Sequence, residues 1–408
     1  MHGHHVTKIS ESGPVRVPAV LQIALLALGV IGLGAFFYGA FTGAEVSRYN
    51  AWNGFLVSML FFWFLSMGAA AFLAINYVVG AKWFVSVKRL PEALASYTYR
   101  GGFVFPVILA LLGVVTLYSG AREGADYPYE GTVKDFWLSA PVQTIKTIMY
   151  TTILSFATFI LVKASRSEAN GNAPALRSYR EKVAIGFLIV FTFVFSLFGW
   201  EVVMSLEPKW FSTMWGVYCF AGAFVSALCV MMMMSFWLRG KYPEYVVEKR
   251  QLHDMGTFVM GFSTFWIYIA FSQFMLIWYA NLPDETFFYL KRYEHGWLMF
   301  TIAIPVLKWI IPFFLLMPPQ CRTNVFAQLV AAIAILTGQA MDLWWVVGPV
   351  DETQATTYLY PTVVNVLTFL GFFGFFSWSV LGYLASTSTV PVEDPDLLSS
   401  VNGEYLHA

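Results

Sequence analysis

Ten apolar runs of about 20 residues, separated by short polar segments, constrain this chain more than any other feature. They lie at roughly 17–41, 53–80, 101–119, 141–163, 183–206, 214–238, 257–281, 296–317, 324–347 and 360–385. Each is long enough to cross the ~30 Å hydrocarbon layer of a bilayer as a helix. Only 12% of the 408 residues are charged, against about 25% in a soluble domain. The expected fold class is therefore all-α integral membrane, with about ten transmembrane helices. Residues 1–16 form an N-terminal tail, 17–385 the membrane domain and 386–408 an acidic tail.

Lysine and arginine set the expected orientation. Sixteen lie in the N-terminal tail or in alternate loops, among them Lys82, Lys88, Arg89 and Arg100 between spans two and three. Six lie on the other side: Arg48, Arg122, Lys134, Lys209, Lys291 and Arg292. By the positive-inside rule both termini are cytoplasmic. The first residues lack the apolar core and cleavage site of a signal peptide, and their three histidines read as part of a mobile tail.

Formal net charge is zero, which gives no reason to expect nucleic-acid binding. Cys219, Cys229 and Cys321 form no CxxC or CxxCH, so no disulfide framework, zinc site, iron–sulfur ligation or covalent haem is expected. Outside the tails only His253 and His295 remain, near opposite surfaces, and a bis-histidine haem cannot be built from them. Any redox centres belong to partners. Aromatic clefts between spans are of a kind to hold a quinone ring, although the same residues serve membrane belts and packing.

Four charges fall inside spans: Lys146, Glu201, Lys308 and Asp342. Lys308 sits near mid-membrane, where a charge costs at least ~2.5–3.5 kcal/mol, so it needs a carboxylate partner or is neutral. It is a candidate proton relay or half of a structural ion pair. Asp342 shares a helical face with Gln328, Ala332, Ile335 and Gln339. Lys146, beside Gln143, Thr147 and Tyr150, is shallow enough to snorkel. Glu201 is followed one turn later by Ser205.

Span seven carries a second pattern. Asp254, Thr257, Gly261, Thr264, Tyr268, Ser272, Met275 and Tyr279 recur at steps of three and four, a largely polar stripe on one face. Such a stripe is expected to face protein, water or a cofactor, since unpaired polar groups are costly in lipid. With His253 and Asp254 at its cytoplasmic mouth, it is a candidate half of a proton path completed by Lys308, Gln339, Asp342, Glu201 and Lys146. The acidic, aromatic loop at about 120–140 suits a docked partner or an ordered cap. The Pro-rich acidic C-terminal tail is expected to extend along a neighbouring surface. No convincing sequence repeat is visible.

The ten spans, SLEPKWFSTMWGVYCFAGAF at 205–224 and HDMGTFVMGFSTFWIYIAFSQFMLIWYANLPDETFFYLKR at 253–292 together resemble the NrfD/polysulfide-reductase membrane-subunit family, over about residues 17–385. Within it they most resemble the second NrfD-like subunit of alternative complex III. The resemblance implies two four-helix bundles with two flanking helices, in a quinol:electron-acceptor oxidoreductase of the bacterial cytoplasmic (inner) membrane. It implies a sister NrfD-like subunit, an iron–sulfur subunit, c-type cytochrome subunits and small membrane subunits as partners. Haem and iron–sulfur clusters reside in those partners, and a menaquinone-type quinol binds at an interface. Glu207, His253 and Asp254 fall on its motifs and Glu201 just beside the first of them, and the resemblance makes these the candidate positions. Three other readings stay open: a quinol-binding subunit in its own right, a passive anchor, and a stand-alone secondary transporter. The short or broken paired helices expected of a transporter are not evident.

Overall fold

The computed structural model describes residues 13–42, 45–118, 131–167, 172–242, 247, 249–294, 296–350 and 359–402. Among the described residues, ten helices are long and apolar enough to cross a membrane: Ala19–Thr42, Val46–Val78, Arg89–Leu117, Ala140–Ser165, Ala173–Leu206, Trp215–Lys241, Lys249–Ala280, Leu298–Leu316, Val325–Val347 and Val363–Leu384, here spans one to ten. The chain is an all-α, multi-pass membrane protein, and among the described residues the only β contact is an isolated bridge between Pro14 and Ser388.

Local chemistry sets where several spans begin. Asn172, Asn324 and Thr362 accept hydrogen bonds from the backbone N–H groups of Ala175, Ala327 and Asn365, satisfying donors that a helix start leaves free. Span three starts at Arg89, twelve residues before the apolar run that predicts it. Its first turns, RLPEALASY, are too polar to register as a lipid-crossing run, yet they are helical and buried in protein.

Spans two to five pack as one four-helix bundle and spans six to nine as another. Span two joins them by packing on spans six and nine, and its apolar core is buried on every side. A helix so placed can be hydrophobic all round. Several of the polar groups it contains donate to its own carbonyls: Ser58 Oγ to Gly54 O at 2.6 Å, and Asn76 Nδ2 to Phe72 O at 2.8 Å. Spans one and ten pair with each other and flank the first bundle. They cross at Gly32 and Gly371, where a Cβ on Gly32 would come within 2.4 Å of the Gly371 Cα. Close backbone approach between small residues supplies the van der Waals contact that drives helix association in lipid.

Both described ends of the chain lie at the same end of the helices, where Val15 N donates to Leu384 O at 3.1 Å. The tail after span ten does not run off along a neighbour. It folds back over this terminal end and buries Val390, Leu397, Ser400 and Val401, because Asp394 finds two buried cations there.

Candidate functional site

Span eight is irregular because of its prolines. Pro305 and Pro312 lack the N–H a helix needs, and between them the helix widens into a π-turn over Val306–Ile310. Pro312 cannot donate to the carbonyl of Lys308 four residues back, and Ser263 Oγ from span seven donates to it instead, at 2.7 Å. Such widened turns recur at functional positions. This one aims Lys308 into the second bundle.

The Lys308 ammonium is fully enclosed. Its Nζ donates to Asp342 Oδ2 at 2.6 Å and to Gln339 Oε1 at 2.7 Å, and it lies 3.6 Å from the centroid of the Trp266 ring. Two oxygens and one aromatic face thus meet its three donor directions. Asp342 is equally engaged, since Tyr218 Oη donates a short hydrogen bond to its Oδ1. A buried ion pair is tolerable only when the remaining lone pairs and protons are satisfied in this way. Gly338 makes room for the lysine stem: a Cβ there would lie 2.6 Å from Lys308 Cγ.

The first bundle holds a counterpart. Lys146 on span four is buried rather than snorkelling, and its Nζ donates to Glu201 Oε2 at 2.5 Å and to Trp137 O at 2.9 Å. Trp137 Nε1 donates to both Glu201 oxygens at 2.9 and 3.0 Å, with the ammonium 4.5 Å from the Trp137 ring centroid. Glu201 also sits in a π-turn, Gly199–Val203. In each bundle, then, the third helix supplies the lysine and the fourth the carboxylate, with a tryptophan ring over the ammonium; Gln339 binds Lys308 itself, whereas Gln143 donates to the backbone carbonyl of Glu201. No repeat in the sequence announces this, because 55 residues separate one pair and 34 the other.

Beside Asp342 lies a cavity of about 270 Å³ whose lining includes Trp215, Tyr218, Trp266, Gln273, Tyr289 and Trp345. Exposed Phe271 also lines it, so it reaches the outer wall of span seven. Gln273 Nε2, Trp215 Nε1 and Trp266 Nε1 are buried donors with no partner. Buried unpartnered donors call for an explanation, and a ligand with acceptor oxygens would satisfy them. Arg292 closes the end of the helices near this cavity. It donates to the carbonyls of Trp345 and Val346 at the end of span nine, at 3.0 and 2.8 Å, and burial pulls its pKa down to about 10.

The polar stripe of span seven goes elsewhere. Gly261, Tyr268, Met275 and Tyr279 are exposed on the outer wall, and Asp254, Thr257, Thr264 and Ser272 are half-buried. The face turned inward instead carries Met255, Val259, Ser263, Trp266, Ile269 and Gln273. Two of its hydroxyls are satisfied within the helix: Thr257 and Thr264 donate to the carbonyls of His253 and Met260, each at 2.9 Å, as threonines on a helix can. His253 Nδ1 and Asp254 Oδ1 stand 3.6 Å apart at the terminal end. Of the candidate residues, the structure brings together Lys308, Gln339 and Asp342, and separately Lys146 and Glu201. Glu207, by contrast, pairs with Lys291 at 3.3 Å. His295 and most of the 120–140 loop lie outside the described residues; among the described residues there is no group of three or more metal-ligating side chains.

A third charged cluster escapes sequence reasoning. At the terminal end Asp394 of the tail pairs with Lys88 and, at 2.7 Å, with Arg180. Glu92 pairs with Arg89 at 2.8 Å and accepts from Ser165 and Tyr383. Burial works to raise the Asp394 carboxyl, but Lys88 and Arg180 outweigh it and hold its pKa at about 2. Burial lowers the pKa of Lys88. Positive-inside counting treats Lys88, Arg89 and Arg180 as surface charges, and a lone Glu92 among them is the one signal of burial. No family model matches this sequence, and no curated protein matches it.

Proposed function

We propose that this chain is an integral membrane subunit of a bacterial quinol:electron-acceptor oxidoreductase of the alternative complex III type, and that Lys308 and Asp342 handle protons coupled to quinol oxidation. In this reading both termini are cytoplasmic. The sister NrfD-like, iron–sulfur and c-type cytochrome subunits carry the redox centres. The resemblance of the 205–224 and 253–292 stretches supports it, as does the arrangement of two four-helix bundles with a flanking pair. The observation that carries it is the hydrogen-bonded chain Tyr218–Asp342–Lys308–Gln339, buried inside the second bundle with Tyr218 and Asp342 lining an aromatic cavity. A carboxylate and an ammonium bonded to one another can exchange one proton with little movement of heavy atoms. Asp342 would take up a proton arriving at the cavity, and Lys308 would stabilise the carboxylate once the proton leaves.

A second reading, in which this chain itself holds the quinol, is favoured by Gln273. Its unpartnered Nε2 is a donor for a quinone oxygen, with the cavity's aromatic walls to cover the ring.

In the complex that still assembles, Lys308→Met is expected to lower the proton-to-electron ratio. An unchanged ratio would refute the relay. A photoreactive quinone that labels only the sister subunit would refute the second reading and leave the first standing.

A further inference from the structure

We infer that a cleft between spans three, four and ten at the terminal end binds an anionic phosphate group, that of a phospholipid headgroup. The cleft has a volume of about 530 Å³ and is lined by Arg100, Lys163, Arg166, Tyr99, Phe159 and Tyr383 among others. Three cations converge there, and among the described residues no carboxylate lies within ion-pair distance of any of them. The guanidinium groups of Arg100 and Arg166 approach the same Tyr383 ring, at 5.9 and 5.6 Å from its centroid. The nearby carboxylate of Glu92 is already occupied by Arg89, Ser165 and Tyr383 itself.

The level of the cleft identifies the occupant. On span three, exposed Phe103 and Val104 follow directly after Arg100, and on span four exposed Phe156, Phe159 and Ile160 directly precede Lys163. The cations therefore stand where the lipid-facing belt of each helix ends, at headgroup depth, with apolar wall below for acyl chains. Arg100 is turned there by a break in span three, whose Gly101 has φ 156°. Basic pockets between transmembrane helices at this depth select anionic lipids, whereas zwitterionic headgroups gain little. Basic residues at a helix end also complement its dipole, but that role needs no cleft shared by three helices.

The test uses the full chain in nanodiscs of phosphatidylcholine doped with phosphatidylglycerol, with lipid retention read by native mass spectrometry. Anionic lipid is expected to be retained over phosphatidylcholine, and each of Arg100→Gln, Lys163→Gln and Arg166→Gln to weaken retention about 5-fold. Lys163→Arg, which keeps the charge, is expected to retain it. Inorganic phosphate at millimolar concentration is the second arm. If it displaces the lipid, the phosphate group is the recognised chemistry; if it binds while phosphatidylglycerol does not, the lipid assignment is overturned in favour of a soluble anion. Equal retention of both lipids, or retention unaffected by the three substitutions, overturns the site. Wild-type thermal unfolding of each variant in pure phosphatidylcholine shows that the fold survives.

Discussion

Lys308 Nζ lies 2.6 Å from Asp342 Oδ2, with the two side chains 1% and 3% exposed. Removing one partner leaves the other charged and buried, which costs about 3–5 kcal/mol, whereas replacing both with apolar groups of similar volume is far less damaging. Asp342→Ala is expected to show that loss in thermal unfolding of the purified chain, and Lys308→Met with Asp342→Leu to recover most of it. Additive losses in the double variant would show that the two residues do not act as a pair.

Gly338 is expected to be intolerant of even one methyl group. A Cβ there meets the Lys308 stem at 2.6 Å, and forced overpacking of this kind costs about 1–3 kcal/mol. Gly382 in span ten has open space around the same atom, so Gly382→Ala serves as the control and is expected to be neutral or slightly stabilising. Equal unfolding temperatures for the two variants would contradict the close contact.

The tail latch is expected to respond to acid. Asp394 has its pKa lowered from 3.8 to about 2 in the folded chain, so the unfolded chain binds the proton more readily. Its contribution, about 2 kcal/mol, is fully present above pH 4 and is lost as pH falls from about 4 to about 2. Limited proteolysis of the segment after span ten should accelerate over that interval. Asp394→Asn should be cleaved rapidly at neutral pH and lose most of the acid dependence. A cleavage rate for Asp394→Asn equal to wild type would show that the ion pairs do not hold the tail.

The ten spans were legible in the sequence because hydropathy is additive along a helix and needs no knowledge of neighbours. The edges were less so: Arg89–Tyr97 is helical and buried, but its burial depends on Glu92 meeting Arg89 and on a tail three hundred residues later in the chain. The face shared by Gln328, Gln339 and Asp342 followed from helical spacing and is buried as a unit. On span seven the stripe lies on the outer wall of this chain. Threonine hydroxyls can satisfy themselves on the preceding turn, so a polar stripe does not have to face inward.

From the sequence alone came the class of solvent, the number of crossings and the presence of charges too deep to be solvated. Only the tertiary structure decided which charges meet. Lys308 finds Asp342 and Lys146 finds Glu201 through helix packing and two π-turns, and Lys88 finds Asp394 through the folded-back tail, across separations of 34, 55 and 306 residues. Hydropathy and periodicity are properties of one helix at a time, whereas an ion pair between helices depends on their relative rotation and depth, which packing alone sets.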